Sequence, residues 1–155
     1  MLYDLVVVMP VYNEQDCIVS VLQSWDTMLS NLKINFRILV LNDGSKDGTQ
    51  EALNTLRDNE HIEISHKPNS GHGPTILMGY HKAVEMGQWV FQCDSDDEMK
   101  AEHFPQLWTE RDQYVALFGI RANRLQESGR KLISTISRFI VKRLFGTANY
   151  NVHRG

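Results

Sequence analysis

The sequence predicts an α/β fold, a doubly wound and mostly parallel sheet with helices on both of its faces. Three observations carry that prediction. Apolar, β-branched runs alternate with stretches of helical periodicity from residue 4 to about residue 118. The first two runs carry almost no polar residue, as in strands buried on both sides. A polar, turn-forming loop follows each of the first four runs, at what a parallel right-handed sheet makes its carboxyl edge.

The run Val6-Val7-Val8-Met9 opens the sheet and Pro10 ends it. Asn13 then has the character of a helix N-cap, and Glu14, Gln15 and Asp16 follow it with two acids near the positive end of the helix dipole. Ile18, Val21, Leu22, Trp25, Met28 and Leu29 recur at helical spacing. Phe36-Arg37-Ile38-Leu39-Val40-Leu41 is a second strand, and Asn42-Asp43-Gly44-Ser45-Lys46-Asp47-Gly48-Thr49 is a loop dense in turn formers. A helix is predicted from about Gly48 to Arg57, and a short strand at Ile62-Glu63-Ile64. After the loop Lys67 to Pro74, Pro74 suits the first turn of a helix that runs to about Met86 and is ended by Gly87. Trp89-Val90-Phe91-Gln92 is a fourth strand, a helix is predicted near His103 to Arg111, and Tyr114-Val115-Ala116-Leu117-Phe118 reads as a fifth strand.

With 155 residues, 42% of them hydrophobic, the chain can bury the core of about one domain. A formal net charge of -3 gives no electrostatic reason to expect a nucleic-acid partner, although local basic patches stay open. Cys17 and Cys93 form no metal-ligand spacing and read as free thiols of a reducing compartment, with neither a disulfide nor zinc expected. The run Leu5 to Met9 lacks a basic leader and is far too short to span a bilayer, and no long uncharged apolar stretch occurs elsewhere. Integral membrane character is not predicted, while surface attachment stays open.

Residues 128–145 differ in kind. Leu132, Ile133, Ile136, Phe139, Ile140 and Leu144 make an apolar stripe, and Arg130, Lys131, Arg138, Lys142 and Arg143 make the one dense basic cluster. Such a segment is either a helix covering the core or one lying on an anionic membrane surface. The sequence stops at Gly155 with no closing element, as expected of a piece of something longer.

Four acids in five residues, Asp94, Asp96, Asp97 and Glu98, close the fourth strand. That density of charge calls for a counterion, and carboxylate oxygens suit Mg2+ or Mn2+. On extended backbone Asp94, Asp96 and Glu98 share a face, so the three could converge on one ion. The plainer alternative is a solvated acidic turn; the position at the crevice edge of a buried strand favours the metal. Glu14 and Asp43 stand just past strand ends and suit hydrogen bonds to a nucleobase or ribose, and Tyr12 could stack on a base. The loop Asn69-Ser70-Gly71-His72-Gly73 could offer backbone N-H groups to a phosphate. It lacks the Lys-Ser/Thr pair of a P-loop, and no complete GxGxxG follows the first strand. His72 is read as orienting locally, and Arg121 as either neutralising a phosphate or lying on the surface.

As a set, Met9-Pro10-Val11-Tyr12-Asn13-Glu14, Val40 to Thr49, Asn69 to Gly73, Asp94-Ser95-Asp96 and Gly119-Ile120-Arg121 resemble the inverting GT-A glycosyltransferases. The nearest likeness is to the polyprenyl-phosphate sugar transferases that include dolichyl-phosphate mannose synthase. The resemblance covers roughly residues 4 to 121 and implies a GT-A, Rossmann-like core over residues 1–121, with an incomplete acceptor-side region over residues 122–155. It implies that Pro10, Tyr12, Glu14, Asp43, Gly73 and Asp94 hold a UDP- or GDP-sugar. It further implies that Asp94 and Asp96, with Glu98, bind Mg2+ or Mn2+, and that Asp96 and Arg121 serve the reaction at the diphosphate. The basic helix matches an interfacial helix near a lipid-phosphate acceptor, which implies a cytoplasmic enzyme, peripheral on the inner face of the membrane. His72, Pro74 and Asp97 depart from the usual pattern. Transfer to a saccharide acceptor, or nucleotide-sugar binding without turnover, are the other readings.

Overall fold

The computed structural model describes residues 2–117. Its sheet has four parallel strands among the described residues: β1 (Tyr3–Val11), β2 (Phe36–Asp43), β3 (Ile62–Lys67) and β4 (Gly87–Gln92), in the order β3-β2-β1-β4. The helices are α1 (Ile18–Asn31), α2 (Thr49–Asn54), α3 (His72–Met86) and α4 (Phe104–Glu110). Short 3-10 turns at Ala101–His103 and Arg111–Gln113 flank α4.

Alternation of side chains along β1 explains why helices cover both faces. Leu5, Val7, Met9 and Val11 join Ile18, Val21, Leu22, Trp25 and Leu29 of α1 and Leu53 of α2 in one buried cluster. Val6 and Val8, with Leu39 and Leu41 of β2, point the other way and pack with Ala83 of α3. Every residue from Leu5 to Met9 is at most 1% exposed. Trp25 anchors the larger cluster, its ring 5.6 Å from Phe91 and 5.7 Å from Phe104. On the opposite face α3 sits unusually close to the strands. A Cβ on Gly79 would lie 2.4 Å from Val8 Cγ1 and 2.8 Å from Leu41 Cδ1, so only glycine permits this approach.

The chain runs β1, β2, β3 outward in one direction, then crosses through α3 to place β4 on the free side of β1. That reversal between β1 and β4 is a topological switch point, where the loops leaving the two carboxyl ends diverge and leave a crevice. Pro10 to Glu14 leave one side of it and Asp94 to Asp96 the other.

Several boundaries differ from the sequence expectation, each for a local reason. Asn13 does not cap α1. It has φ 56, and the helix starts only at Ile18, after a turn in which the Glu14 carbonyl accepts from the Cys17 and Ile18 N-H groups. Gln15 to Cys17 are turn, and Lys33 (φ 54) ends the helix in the left-handed conformation usual for a C-terminal cap. The second helix is shorter than expected, six residues, and β3 extends to Lys67 because it pairs with β2 as far as Asp43. The fifth strand is not present at Tyr114 to Leu117: these residues have no ladder partner among the described residues, and Tyr114 and Val115 are exposed. Phe118, Arg121 and the segment 128–145 lie outside the described residues.

Candidate functional site: the crevice at the carboxyl edge

The loop after β1 is laced to the loop after β2. Asn13 N-H donates to Ser45 Oγ (3.0 Å), Glu14 N-H to Thr49 Oγ1 (2.8 Å) and Gln15 N-H to Asp47 Oδ2 (3.4 Å). Lys46 N-H and Gly48 N-H donate back to Asn13 Oδ1 (2.8 Å) and Gln15 Oε1 (2.6 Å). The left-handed backbone at Asn13 is therefore the consequence of a contact with a loop more than thirty residues away, not of a helix cap. Asn42, 1% exposed, extends the chain of bonds: its Oδ1 accepts from Ser45 Oγ (2.6 Å) and its Nδ2 meets His66 Nδ1 at 3.0 Å. Asp47 is held below the ordinary carboxylate value; burial opposes this, and hydrogen bonds from the Thr49 hydroxyl and N-H and from Gln15 N-H outweigh it.

Asp43, the last residue of β2, binds the third loop to the second. Its Oδ1 accepts from Lys67 Nζ and from Ser70 N-H (2.8 Å), and its Oδ2 from Gly71 N-H (2.9 Å). Asn69 Nδ2 reaches its backbone carbonyl at 2.8 Å. Lys67 Nζ also donates to Pro68 O (3.0 Å), Ser70 Oγ (2.7 Å) and Thr75 Oγ1 (3.0 Å). Burial pushes the Asp43 carboxyl up, but the Lys67 ammonium, the Ser70 N-H and the Thr75 hydroxyl together hold it below its ordinary value. Gly44, at φ 65, lets the two loops touch: a Cβ there would stand 2.7 Å from the Asn69 backbone nitrogen.

The acidic strand end is built differently. Gln92 Nε2 donates to Asp94 Oδ1 (2.9 Å), and Glu98 N-H donates to Asp96 Oδ1 (3.1 Å). His72 Nε2, at the start of α3, faces Asp94 Oδ1 across 3.6 Å. Asp97 takes φ 57 and pairs with Lys100, and residues 95–99 bend instead of continuing the strand. That bend removes the premise on which Asp94, Asp96 and Glu98 would share one face. Among the described residues no three His, Cys, Asp or Glu side chains are grouped to hold an ion. Asp94 and Asp96 remain as a pair of hard oxygen donors, which fits an ion such as Mg2+ or Mn2+ that takes its other ligands from phosphate and water.

Six expected residues meet in one cleft of about 530 Å³: Pro10, Tyr12, Glu14 and Asp43 on one side, Asp94 and Asp96 on the other. Gly73 and Glu98 are not among its lining residues, and Arg121 lies outside the described residues. Sequence reasoning missed Lys67 and Thr75, whose roles come from long-range contacts, and Cys17. The Cys17 thiol donates to Glu14 Oε2 (3.3 Å) and approaches the Ser95 carbonyl (3.7 Å), so it touches both sides of the crevice. Burial, the Glu14 hydrogen bond and the nearby acids push it up to about 11, so it is protonated at neutral pH and serves as a donor. Burial raises the Cys93 thiol further. Both cysteines are free, as expected. No helix among the described residues is long and apolar enough to cross a membrane.

The chain is similar to known proteins in both sequence and fold. It is 29% identical over 146 residues to an undecaprenyl-phosphate 4-deoxy-4-formamido-L-arabinose transferase of Klebsiella pneumoniae, covering 92% of this chain and 44% of the relative. A protein of the same name from Pseudomonas fluorescens is 26% identical, with 92% and 42% covered. The chain thus spans less than half the length of these curated relatives. Among solved structures, S. aureus TarS 1-349 in complex with UDP-GlcNAc superimposes with a TM-score of 0.58 at 22% identity, covering 81% of this chain and 37% of that one. The mannosyltransferase PcManGT of Pyrobaculum calidifontis, in complex with GDP-Man and Mn2+, gives 0.50 at 18% identity, with 62% and 28% covered. These likenesses identify the sheet as the GT-A fold. The glycosyl transferase family 2 model matches residues 6–154, nearly the whole chain, and the chain belongs to that family.

Proposed function

We propose that this chain is the donor-binding part of a glycosyltransferase that moves a sugar from a UDP- or GDP-sugar, with inversion, to a polyprenyl phosphate. One observation carries the reading: the end of β2 and the loops after β1 and β4 bring Asp43, Glu14, Asp94 and Asp96 to one cleft at the switch point. Glu14 and Asp43 are acceptors placed to take hydrogen bonds from a base and a ribose, and Tyr12, 43% exposed, offers a ring for stacking. Asp94 and Asp96 hold Mg2+ or Mn2+, which supplies Lewis-acid relief of charge on the departing diphosphate. Arg121 stands in the sequence where a second positive group would serve the same oxygens. The family membership and the names of the Klebsiella and Pseudomonas relatives support a polyprenyl-phosphate acceptor. Such an acceptor is already an anion, so attack on the anomeric carbon demands no strong protein base. Residues 1–121 are the donor core in this reading. Residues 122–155 begin the acceptor side, with 128–145 against the cytoplasmic face of the membrane.

Calorimetric titration of UDP and GDP, each with Mn2+ and with chelator, tests the donor site on the 155-residue chain. Metal-dependent binding of at least one nucleotide is expected, and absence of binding for both sinks the reading. Incubating the longer parent protein with labelled donor and either polyprenyl phosphate or soluble glycans then decides the acceptor. Label must enter the organic phase.

A further inference from the structure

Resting on the donor-site reading, we infer that Lys67 sets the base preference of this cleft, by leaving Asp43 able to accept one hydrogen bond from a base and not two. A carboxylate offers about four lone-pair sites. On Asp43, Lys67 Nζ and Ser70 N-H occupy both sites of Oδ1, and Gly71 N-H occupies one on Oδ2. The Thr75 hydroxyl lies close enough to influence the carboxyl and spends its proton either there or on the Gly71 carbonyl, 2.8 Å away. At most one acceptor site is left. The neighbouring backbone carbonyl of Asp43 is engaged by Asn69 Nδ2 at 2.8 Å.

Two base edges respond differently to that count. Uracil presents a single N-H between two carbonyls, which one remaining lone pair satisfies. Guanine presents two adjacent N-H donors, the pattern that grips both oxygens of a free carboxylate, and one of them would be buried here without a partner. An unsatisfied donor of that kind lowers affinity by about ten- to a hundredfold. The cleft therefore takes a uridine diphosphate in preference to a guanosine diphosphate. Lys67 is the positioning residue responsible, because among the described residues its ammonium is the one side-chain cation on Asp43. It is also well placed to be specific to this role: its side chain is 15% exposed, and its three N-H groups are shared among Asp43, Pro68 and Ser70 of the loop that follows β3, and Thr75 of α3.

The test compares UDP and GDP affinities, with Mn2+ present, for the 155-residue chain, Lys67→Met and Lys67→Arg. The native chain is expected to bind UDP at least about tenfold more tightly than GDP. Lys67→Met, which frees one site on Oδ1, should bring the ratio within about threefold, and Lys67→Arg, which restores a donor, should widen it again. A merely structural lysine would weaken both nucleotides alike and leave the ratio unchanged, which would overturn the assignment. Equal or tighter GDP binding by the native chain overturns it too, even if Lys67→Met does not fold, while leaving the donor site itself standing. Failure to bind either nucleotide would instead sink the donor-site reading on which it rests.

Discussion

Two lysine-aspartate pairs stand in the segments that form the cleft, one after β2 and β3 and one after β4, and they are not equivalent. Lys67 and Asp43 are 15% and 5% exposed at their side chains, and backbone N-H groups from a second loop share the carboxylate. Lys100 and Asp97 are 55% and 40% exposed, three residues apart on one bend. The first pair joins β2 to β3 and to the start of α3, so removing it unties three elements. The second joins a bend to itself. The Asp43 side of the crevice is therefore fixed by bonds between elements, while the acidic side is more exposed and combines short-range bonds from Gln92 and Glu98 N-H with the His72 contact to Asp94. A wall fixed between elements would suit recognition of a planar base, and more exposed acids would suit an ion whose remaining ligands arrive with the substrate.

The largest effect expected from breaking this asymmetry is on the buried pair. Asp43→Ala leaves the Lys67 ammonium and two loop N-H groups without their acceptor, and should cost roughly 2–4 kcal/mol in denaturant unfolding. A loss below about 0.5 kcal/mol would show the wall to be no firmer than the acidic side. The same carboxylate predicts a pH dependence. Its folded value lies below the ordinary 3.8, so between the two values the unfolded chain binds the extra proton. Asp43 therefore contributes stability above the ordinary value, and the contribution is lost as pH falls through the folded one. Stability measured against pH should fall more steeply below about pH 4 in the native chain than in Asp43→Asn.

On the acidic side the order of effects reverses. Asp96 is exposed, and the Glu98 N-H that it accepts can be satisfied by solvent, so Asp96→Asn should change unfolding free energy by no more than about 0.5 kcal/mol. It should nevertheless abolish the added stability expected of the native chain with Mn2+ and nucleotide, about 2.7 kcal/mol at ligand a hundredfold above Kd. If Mn2+ and nucleotide still raise the melting temperature of Asp96→Asn as far, the ion does not sit there. Between these extremes lies the lacing of the first two loops. Gln15→Ala removes the acceptor of Gly48 N-H, a single exposed bond, and should cost about 1 kcal/mol.

The sheet was legible because its strands announce themselves twice, by apolar runs and by the polar loops that end them. Val6 to Met9 could hardly be anything but a strand covered on both faces, and Trp25 falls on the buried side of α1 as its spacing requires. The acidic pair Asp94 and Asp96, with Glu14 and Asp43, could be assigned to one edge for the same reason: a parallel sheet puts every such loop on one side. What the residues could not reveal depends on distant partners. Asn13 has the chemistry of an N-cap, but its amide finds Lys46 instead of the helix. Tyr114 to Leu117 have strand propensity, but propensity gives no ladder without a neighbour. Lys67 stands where the sequence reads as a loop of ordinary composition, and only the extension of β3 beside β2 delivers its ammonium to Asp43. For Glu98 the alternation argument does not apply, since alternation places side chains on one face only while the chain stays extended and residues 95–99 bend.

The smallest expected effect is the sharpest control on the comparison. Lys100→Ala removes the exposed partner of Asp97, and an i, i+3 pair in solvent stabilises by a few tenths of a kcal/mol at most. Unfolding should therefore change by less than about 0.5 kcal/mol, against the several expected when the buried pair is broken. The charge itself still matters to an ion. With Lys100 gone, the acids from Asp94 to Glu98 lose a neighbouring cation, and the local potential becomes more negative. Mn2+ should then bind more tightly, by about two- to threefold at low salt, and the gain should shrink as ionic strength rises and screens it. If affinity instead falls with Lys100→Ala, the Lys100 pair holds the bend that presents Asp96, and the acidic side is organised by folding as firmly as the base side is.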